Sequence, residues 1–247
     1  MRTITISAQF CGPPTSANGG IVGGLLAQEL HEVLAGDRGP NFGAVEVTLK
    51  APPPLDVALS VESSDDHVVL RHDDLVVAVA RGVDAFEVSA PPDLSYGQVE
   101  AIAASSPVLR AGDEHPFPSC FVCGPARPVG DGLRIFAAQI PGGVAFVAPF
   151  RPTSEQLGAE FAWAAMDCPS GFPMYLDTDV LPGPYVLGRM TAQIEGVLEA
   201  DQNYVVAAWR DEVSGRKLST SVVLYEPATP RRGIVAIAHA RSVWIRL

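Results

Sequence analysis

One pattern constrains this chain more than any other. An apolar helical segment followed by a run of short strand-like segments occurs twice. The first helix opens at Asn18-Gly19-Gly20. It carries Ile21, Val22, Leu25, Leu26, Leu30, Val33 and Leu34 at helical spacing, which predicts a helix over about 18–35, capped by Asn18 or Ser16. The second opens at Gly158-Ala159-Glu160 and continues through Phe161-Ala162-Trp163-Ala164-Ala165-Met166-Asp167. It predicts a helix over about 155–168 that stops at Pro169. Strand signals follow at 44–49, 57–63, 68–71 and 75–83 after the first helix, and at 185–195, 204–211, 218–226 and 233–245 after the second. Gly43 to Leu75 spans 32 positions and Gly188 to Leu218 spans 30, so order and spacing agree although the two copies share little identity.

The remaining segments fit the same plan. Residues 2–10 alternate and read as a first strand. The Gly36-to-Gly39 stretch breaks the chain after the first helix, and Pro141-Gly142-Gly143 marks a hairpin before the second. Residues 91–130 are punctuated by Pro91, Pro92, Pro107, Pro116 and Pro118, with a short helical stretch at about 96–104. The chain therefore divides into a first unit (1–90), a Pro-rich connector (91–130) and a second unit (131–247), in the α+β class. Gly23 and Gly24 weaken a helix intrinsically. They are expected where a sheet packs closely against it.

Composition narrows the function. A chain of 247 residues, 47% hydrophobic and 18% charged, suits one large or two small domains with a real core. The mean hydropathy of +0.20 is high. No uninterrupted apolar run reaches about 18 residues, so no membrane span is expected. The first residues lack the apolar core and cleavage site of a signal peptide, which makes a cytoplasmic protein the expectation. The net charge is −11 and the basic residues are scattered, which argues against nucleic acid as a partner. A phosphate-bearing ligand would need basic side chains gathered locally, with Arg127, Arg134, Arg189, Arg231 and Arg232 as candidates. Homo-oligomerisation is left open. Cys120-Phe121-Val122-Cys123 has metal-like spacing, but no second CxxC and no HxxxH accompanies it. The turn is therefore expected to hold packed thiols without a metal. No cofactor is called for.

With these features the chain resembles the hotdog fold in its double form, and the acyl-CoA thioesterase superfamily. The carrying residues are Asn18-Gly19-Gly20 at a helix start, and Cys120-Phe121-Val122-Cys123-Gly124-Pro125 followed by Gly130-Asp131-Gly132-Leu133-Arg134. The resemblance implies two long helices wrapped by one continuous antiparallel sheet, and a thioester substrate such as acyl-CoA. It differs from the family pattern in having Asn rather than His before the glycines. It also implies an acid about nine residues after the glycine motif that serves the partner copy's helix start. Asp167 is nine after Gly158, whereas the position nine after Asn18 is Ala27. One composite site, Asn18-Gly19-Gly20 facing Asp167, is then expected to be intact. The reciprocal one, Gly158 facing Ala27, is degenerate.

The residue chemistry agrees. Backbone N–H groups at a helix N-terminus stabilise the oxyanion that forms when a thioester carbonyl is attacked, and Gly19 and Gly20 allow close approach there. Asp167 is the only charge between Phe161 and Pro169. A carboxylate on so apolar a helix is costly unless it is bonded or paired. It reads as base or nucleophile, with Asn18 orienting substrate or water and Glu160 as a further substrate contact. A carboxylate tied to backbone, Ser170 or Tyr175 is the structural alternative. The leading expectation is a thioesterase-like hydrolase. The alternative is a non-catalytic protein that binds an acyl group or acyl-CoA, or a partner, in the same cleft. A hydratase would pair an Asp with a His five residues on, and no Asp here has one.

Overall fold

The protein is described from a computed structural model, which covers residues 2–34, 43–176 and 183–247. The elements run β1 (Arg2–Thr5), α1 (Gly19–Leu34), β2 (Ala44–Leu49), β3 (Ala58–Ser63), β4 (His67–His72), β5 (Leu75–Val83), α2 (Tyr96–Ala103) and α3 (Pro107–Ala111). After them come β6 (Ala138–Gln139), β7 (Phe146–Phe150), α4 (Ala159–Gly171), β8 (Tyr185–Ile194), β9 (Tyr204–Ser214), β10 (Lys217–Glu226) and β11 (Val235–Arg246). The strands form one antiparallel sheet in the order β1-β3-β4-β5-β2-β8-β11-β10-β9-β7-β6. Its two halves meet where β2 pairs with β8, from Val45 opposite Ala192 to Thr48 opposite Arg189. Read outward from that junction, the orders are β2-β5-β4-β3-β1 and β8-β11-β10-β9-β7, the same succession in chain order on each side.

Burial explains why the strands look different in sequence. In β3 only Leu59 and Val61 reach the core, so the segment alternates. In β9, Tyr204, Val206 and Ala208 face the main core while Val205 and Ala207 face a second cluster on the opposite side, so the strand is apolar without a break from Tyr204 to Ala208. The connector makes that second cluster. Val99 of α2 packs on Val147, Val205, Ala207, Val223 and Tyr225, and the Tyr225 hydroxyl donates to the Pro92 carbonyl at 3.0 Å. The Pro-rich connector thus covers the outer face of the second half.

Both long helices lie on the inner face, α1 over β2, β4 and β5, α4 over β8 to β11, and they pack against each other. Three glycines of α1 make that contact. A Cβ on Gly20 would lie 2.7 Å from the Ala164 Cα, one on Gly23 2.6 Å from the Trp163 ring, and one on Gly24 2.2 Å from the Glu160 Cα. Gly23 and Gly24 therefore serve a helix–helix contact rather than the helix–sheet contact expected.

Other boundaries also move. The first strand ends at Thr5, because Ser7 accepts from the Gln9 N–H and caps a single turn over residues 8–10. Helix α4 starts at Ala159, not 155, and runs past Pro169 to Gly171. The proline falls in the last turn. There the Ser170 hydroxyl donates to the Asp167 carbonyl at 2.7 Å and the Phe172 N–H closes on the Pro169 carbonyl. Ala35 and the Gly36-to-Gly39 break lie outside the described residues. No described helix is long and apolar enough to cross a membrane.

Candidate functional site

The start of α1 is set by Asn18. Its side-chain oxygen accepts the Ile21 N–H at 3.1 Å and its carbonyl accepts the Val22 N–H at 3.2 Å. That leaves the amide nitrogen of Asn18 to face α4, where Nδ2 lies 3.8 Å from Cys168 Sγ. Gly19 follows as the first helical residue. A Cβ there would lie 2.8 Å from the end of the Leu187 side chain and 3.1 Å from that of Leu49, so a larger residue would have to displace these leucines beside the β2–β8 junction.

The carboxylate of Asp167 crosses from α4 to this helix start. Oδ2 accepts the Gly20 N–H at 2.9 Å. Asp167 is 2% exposed, and Oδ1 has no hydrogen-bond partner among the described residues. Burial pushes its pKa up to about 7. The nearby Cys120 adds to the rise, while the Gly20 N–H and the Asn18 amide oppose it. One carboxylate oxygen is thus held and the other is free, in a group poised between its two protonation states near neutral pH. The Ser170 hydroxyl does not hold this carboxylate; it bonds the Asp167 backbone carbonyl and accepts from Trp244 Nε1 at 3.0 Å.

A cleft of about 450 Å³ opens over these groups, lined by Asn18, Gly19 and Asp167 and walled by Leu49, Leu187 and Trp244. That volume lies within the usual range for small-molecule sites, about 300–1,000 Å³. Among the described residues that line it, Lys50 is the only basic side chain, and there is no histidine.

Asn18, Gly19, Gly20 and Asp167 therefore come together, with one change of role. The Gly20 N–H is taken by Asp167, so Gly19 is the glycine that faces the cleft. Glu160 does not join them. It accepts from Gln28 Nε2 at 2.8 Å, at the other end of the helix pair. The helices are antiparallel, with Gly20 against Ala164 and Gly24 against Glu160, and the same register brings Ala27 level with residues 157–158. That end presents Ala27 where the first presents Asp167.

The expected arginines do not gather at the cleft either. Arg127 is spent on Asp131 at 2.7 Å and on the Gln9 and Ser119 carbonyls; Arg134 donates to the Arg127 carbonyl. Arg189 pairs with Glu46 at 3.4 Å and Arg232 with Glu226 at 2.8 Å. Sequence reasoning read Cys120 only as part of a packed turn and did not mark Cys168; both line the cleft beside Asp167. Cys168 comes from α4 and Cys120 from the connector, and no spacing rule links them.

No protein-family model matches the chain, and no curated protein matches it in sequence. Solved structures match over nearly its whole length. One from Novosphingobium aromaticivorans, provisionally named a thioesterase, aligns over 99% of this chain and 94% of its own, at 12% identity and a TM-score of 0.64. A variant of the GphF dehydratase aligns over 99% and 92%, at 14% identity and a TM-score of 0.57. An acyl-CoA thioesterase II from Mycobacterium marinum aligns over 92% and 89%, at 11% identity and a TM-score of 0.50. These likenesses establish the fold, a double hotdog of the kind found in thioesterases. The fold hosts more than one chemistry, so the reaction must be argued from the site.

Proposed function

We propose that this protein hydrolyses an acyl thioester at a single composite site between two repeated hotdog units, residues 1–90 and 131–247. The observation that carries the reading is the Asp167 carboxylate, buried, bonded through one oxygen to the Gly20 N–H and unpartnered at the other, at the floor of an apolar cleft. Oδ1 takes a proton from water as the water oxygen attacks the thioester carbon. The carbonyl oxygen gains negative charge beside the Gly19 N–H, one of those a helix leaves without an intrahelical acceptor, and at the positive end of the α1 dipole. The C–S bond then breaks, the thiolate takes up the proton, and a carboxylic acid leaves. Asn18, whose amide nitrogen lies beside Cys168 and Asp167, orients the substrate.

The lining also bears on the carrier. With Lys50 as the only cation among the described lining residues, the site grips the acyl and thioester portion rather than the phosphates of coenzyme A. Acyl-CoA remains the substrate class, and a short thioester without phosphates should serve nearly as well. The four cysteines are all free, which fits a reducing compartment, and we place the activity in the cytoplasm.

The test is turnover of a panel of acyl-CoAs and N-acetylcysteamine thioesters by wild type and Asp167→Asn, with released acid measured by chromatography. Asn keeps an oxygen for the Gly20 N–H but cannot act as base. A loss of about 100-fold or more with unchanged circular dichroism is expected. Full turnover by Asp167→Asn overturns the assignment. Saturable binding without turnover by the wild type would instead make the cleft a non-catalytic acyl-binding site.

A further inference from the structure

We propose that Cys120, Cys123 and Cys168 together bind one thiophilic cation, Zn²⁺, beneath the floor of the cleft. The metal-free reading of the Cys120–Cys123 turn counted ligands along the chain. The fold adds a third thiol from α4, 45 residues beyond Cys123 in sequence.

The three sulfurs all lie within 4.8 Å of one another, and Cys120 Sγ is 3.5 Å from Cys168 Sγ. A tetrahedral zinc with bonds of about 2.3 Å holds its sulfurs about 3.8 Å apart, so the three need only small side-chain rotations to share an ion. The turn itself is tightly closed. The Gly124 N–H closes the turn on the Cys120 carbonyl at 2.8 Å, and a Cβ on Gly124 would lie 2.4 Å from that oxygen, so the fifth position must be glycine. Buried cysteines often serve as small apolar side chains. Packing alone does not explain three thiols from two distant segments converging on one point.

His115 stands behind the cluster, with Nε2 4.0 Å from Cys123 Sγ. Its Nδ1 accepts the Phe117 N–H at 3.1 Å, so the neutral ring carries its proton on Nε2, facing the sulfur. His115 is therefore a positioning residue that donates to the Cys123 thiolate, not the fourth ligand. Cys120 and Cys168 line the cleft, so the fourth position opens there and gives the ion its route in. Charge favours Zn²⁺ over Cu⁺. Three thiolates leave a net charge of one with zinc and two with copper, in a buried setting beside Asp167. Binding releases the three thiol protons to solvent as three metal–sulfur bonds form, with no change of oxidation state.

Reduced full-length protein titrated with Co²⁺, a spectroscopic stand-in for zinc, tests this. One equivalent should bind with a thiolate-to-cobalt charge-transfer band, and Zn²⁺ should displace it. Cys120→Ser and Cys168→Ser should each weaken uptake by more than about 100-fold, and His115→Ala by about 10- to 100-fold. Cys11→Ser should leave it unchanged, because that thiol donates to the Ser119 carbonyl outside the cluster. Should a serine variant not fold, the wild-type titration still decides. Absence of the charge-transfer band in reduced wild type, or unchanged uptake by folded Cys168→Ser, overturns the proposal. A Cys120–Cys168 disulfide with no metal uptake after reduction overturns it too. Thioester turnover is not a readout, so this proposal and the hydrolytic one fail separately.

Discussion

Glycine does two opposite things in this molecule, and a methyl group tells them apart. Gly24 lies in α1 against the backbone of α4, where a Cβ would approach the Glu160 Cα to 2.2 Å. A backbone atom cannot swing away, so Gly24→Ala must push the two helices apart. We expect a loss of about 1–3 kcal/mol, read from the midpoint of urea unfolding. Gly97 sits in α2 with nothing within 4 Å of a Cβ. Gly97→Ala should raise stability by about 0.4–1 kcal/mol, because alanine has less backbone freedom to lose on folding. Equal effects at both positions would contradict the close helix contact. The same contact matters to chemistry, because Gly20, whose N–H holds Asp167, is one turn along the seam from Gly24.

At the level of elements, α2 and α4 cover opposite faces of the same strands. Helix α2 is held by a capping box: the Ser95 hydroxyl accepts the Gln98 N–H, and the Gln98 side chain accepts the Ser95 N–H at 2.8 Å. Removing the cap by Ser95→Ala should cost about 1 kcal/mol. Amide exchange in residues 96–103 should quicken. Turnover should stay within about twofold of wild type, because α2 lies across the sheet from the cleft. A large loss of activity would mean that the connector does more than cover an apolar face. The opposite arrangement holds for α4, which carries both Trp163, 1% exposed in the helix seam, and Asp167 at the cleft floor.

For the whole molecule, the helix seam and the β2–β8 ladder both cross the midline, so neither half keeps its core without the other. Thermal unfolding should be a single transition with equal calorimetric and van't Hoff enthalpies. Two resolved transitions would show that the halves are independent. The distribution of charge gives a second expectation at this scale. The chain carries a net −11, and the described cleft lining offers Lys50 as its only cation. KM for an acyl-CoA should therefore change by less than about threefold between low and physiological salt, since little is screened. A steep rise in KM with salt would place the coenzyme's phosphates against basic residues elsewhere.

What the amino-acid sequence determined by itself is whatever repeats locally. Apolar residues at helical spacing mark α1 and α4, and alternating or continuous apolar runs mark the strands; β2 and β5 fall on the segments expected. Asp167 stood out because one charge in an apolar helix is a local anomaly, and Asn18 because a polar residue before two glycines is a cap. Periodicity tells which face of an element is buried, not what covers it. So only the tertiary structure decided that Gly23 and Gly24 meet a helix instead of a sheet, and that Glu160 belongs to Gln28. It also decided that Asp167 takes the Gly20 N–H and leaves Gly19 to face the cleft. Cys168 shows the same limit, since its neighbour Cys120 lies 48 residues away on another segment. Each of these contacts joins groups that share no period, and is set by the docking of α1 and the connector on α4 over one sheet.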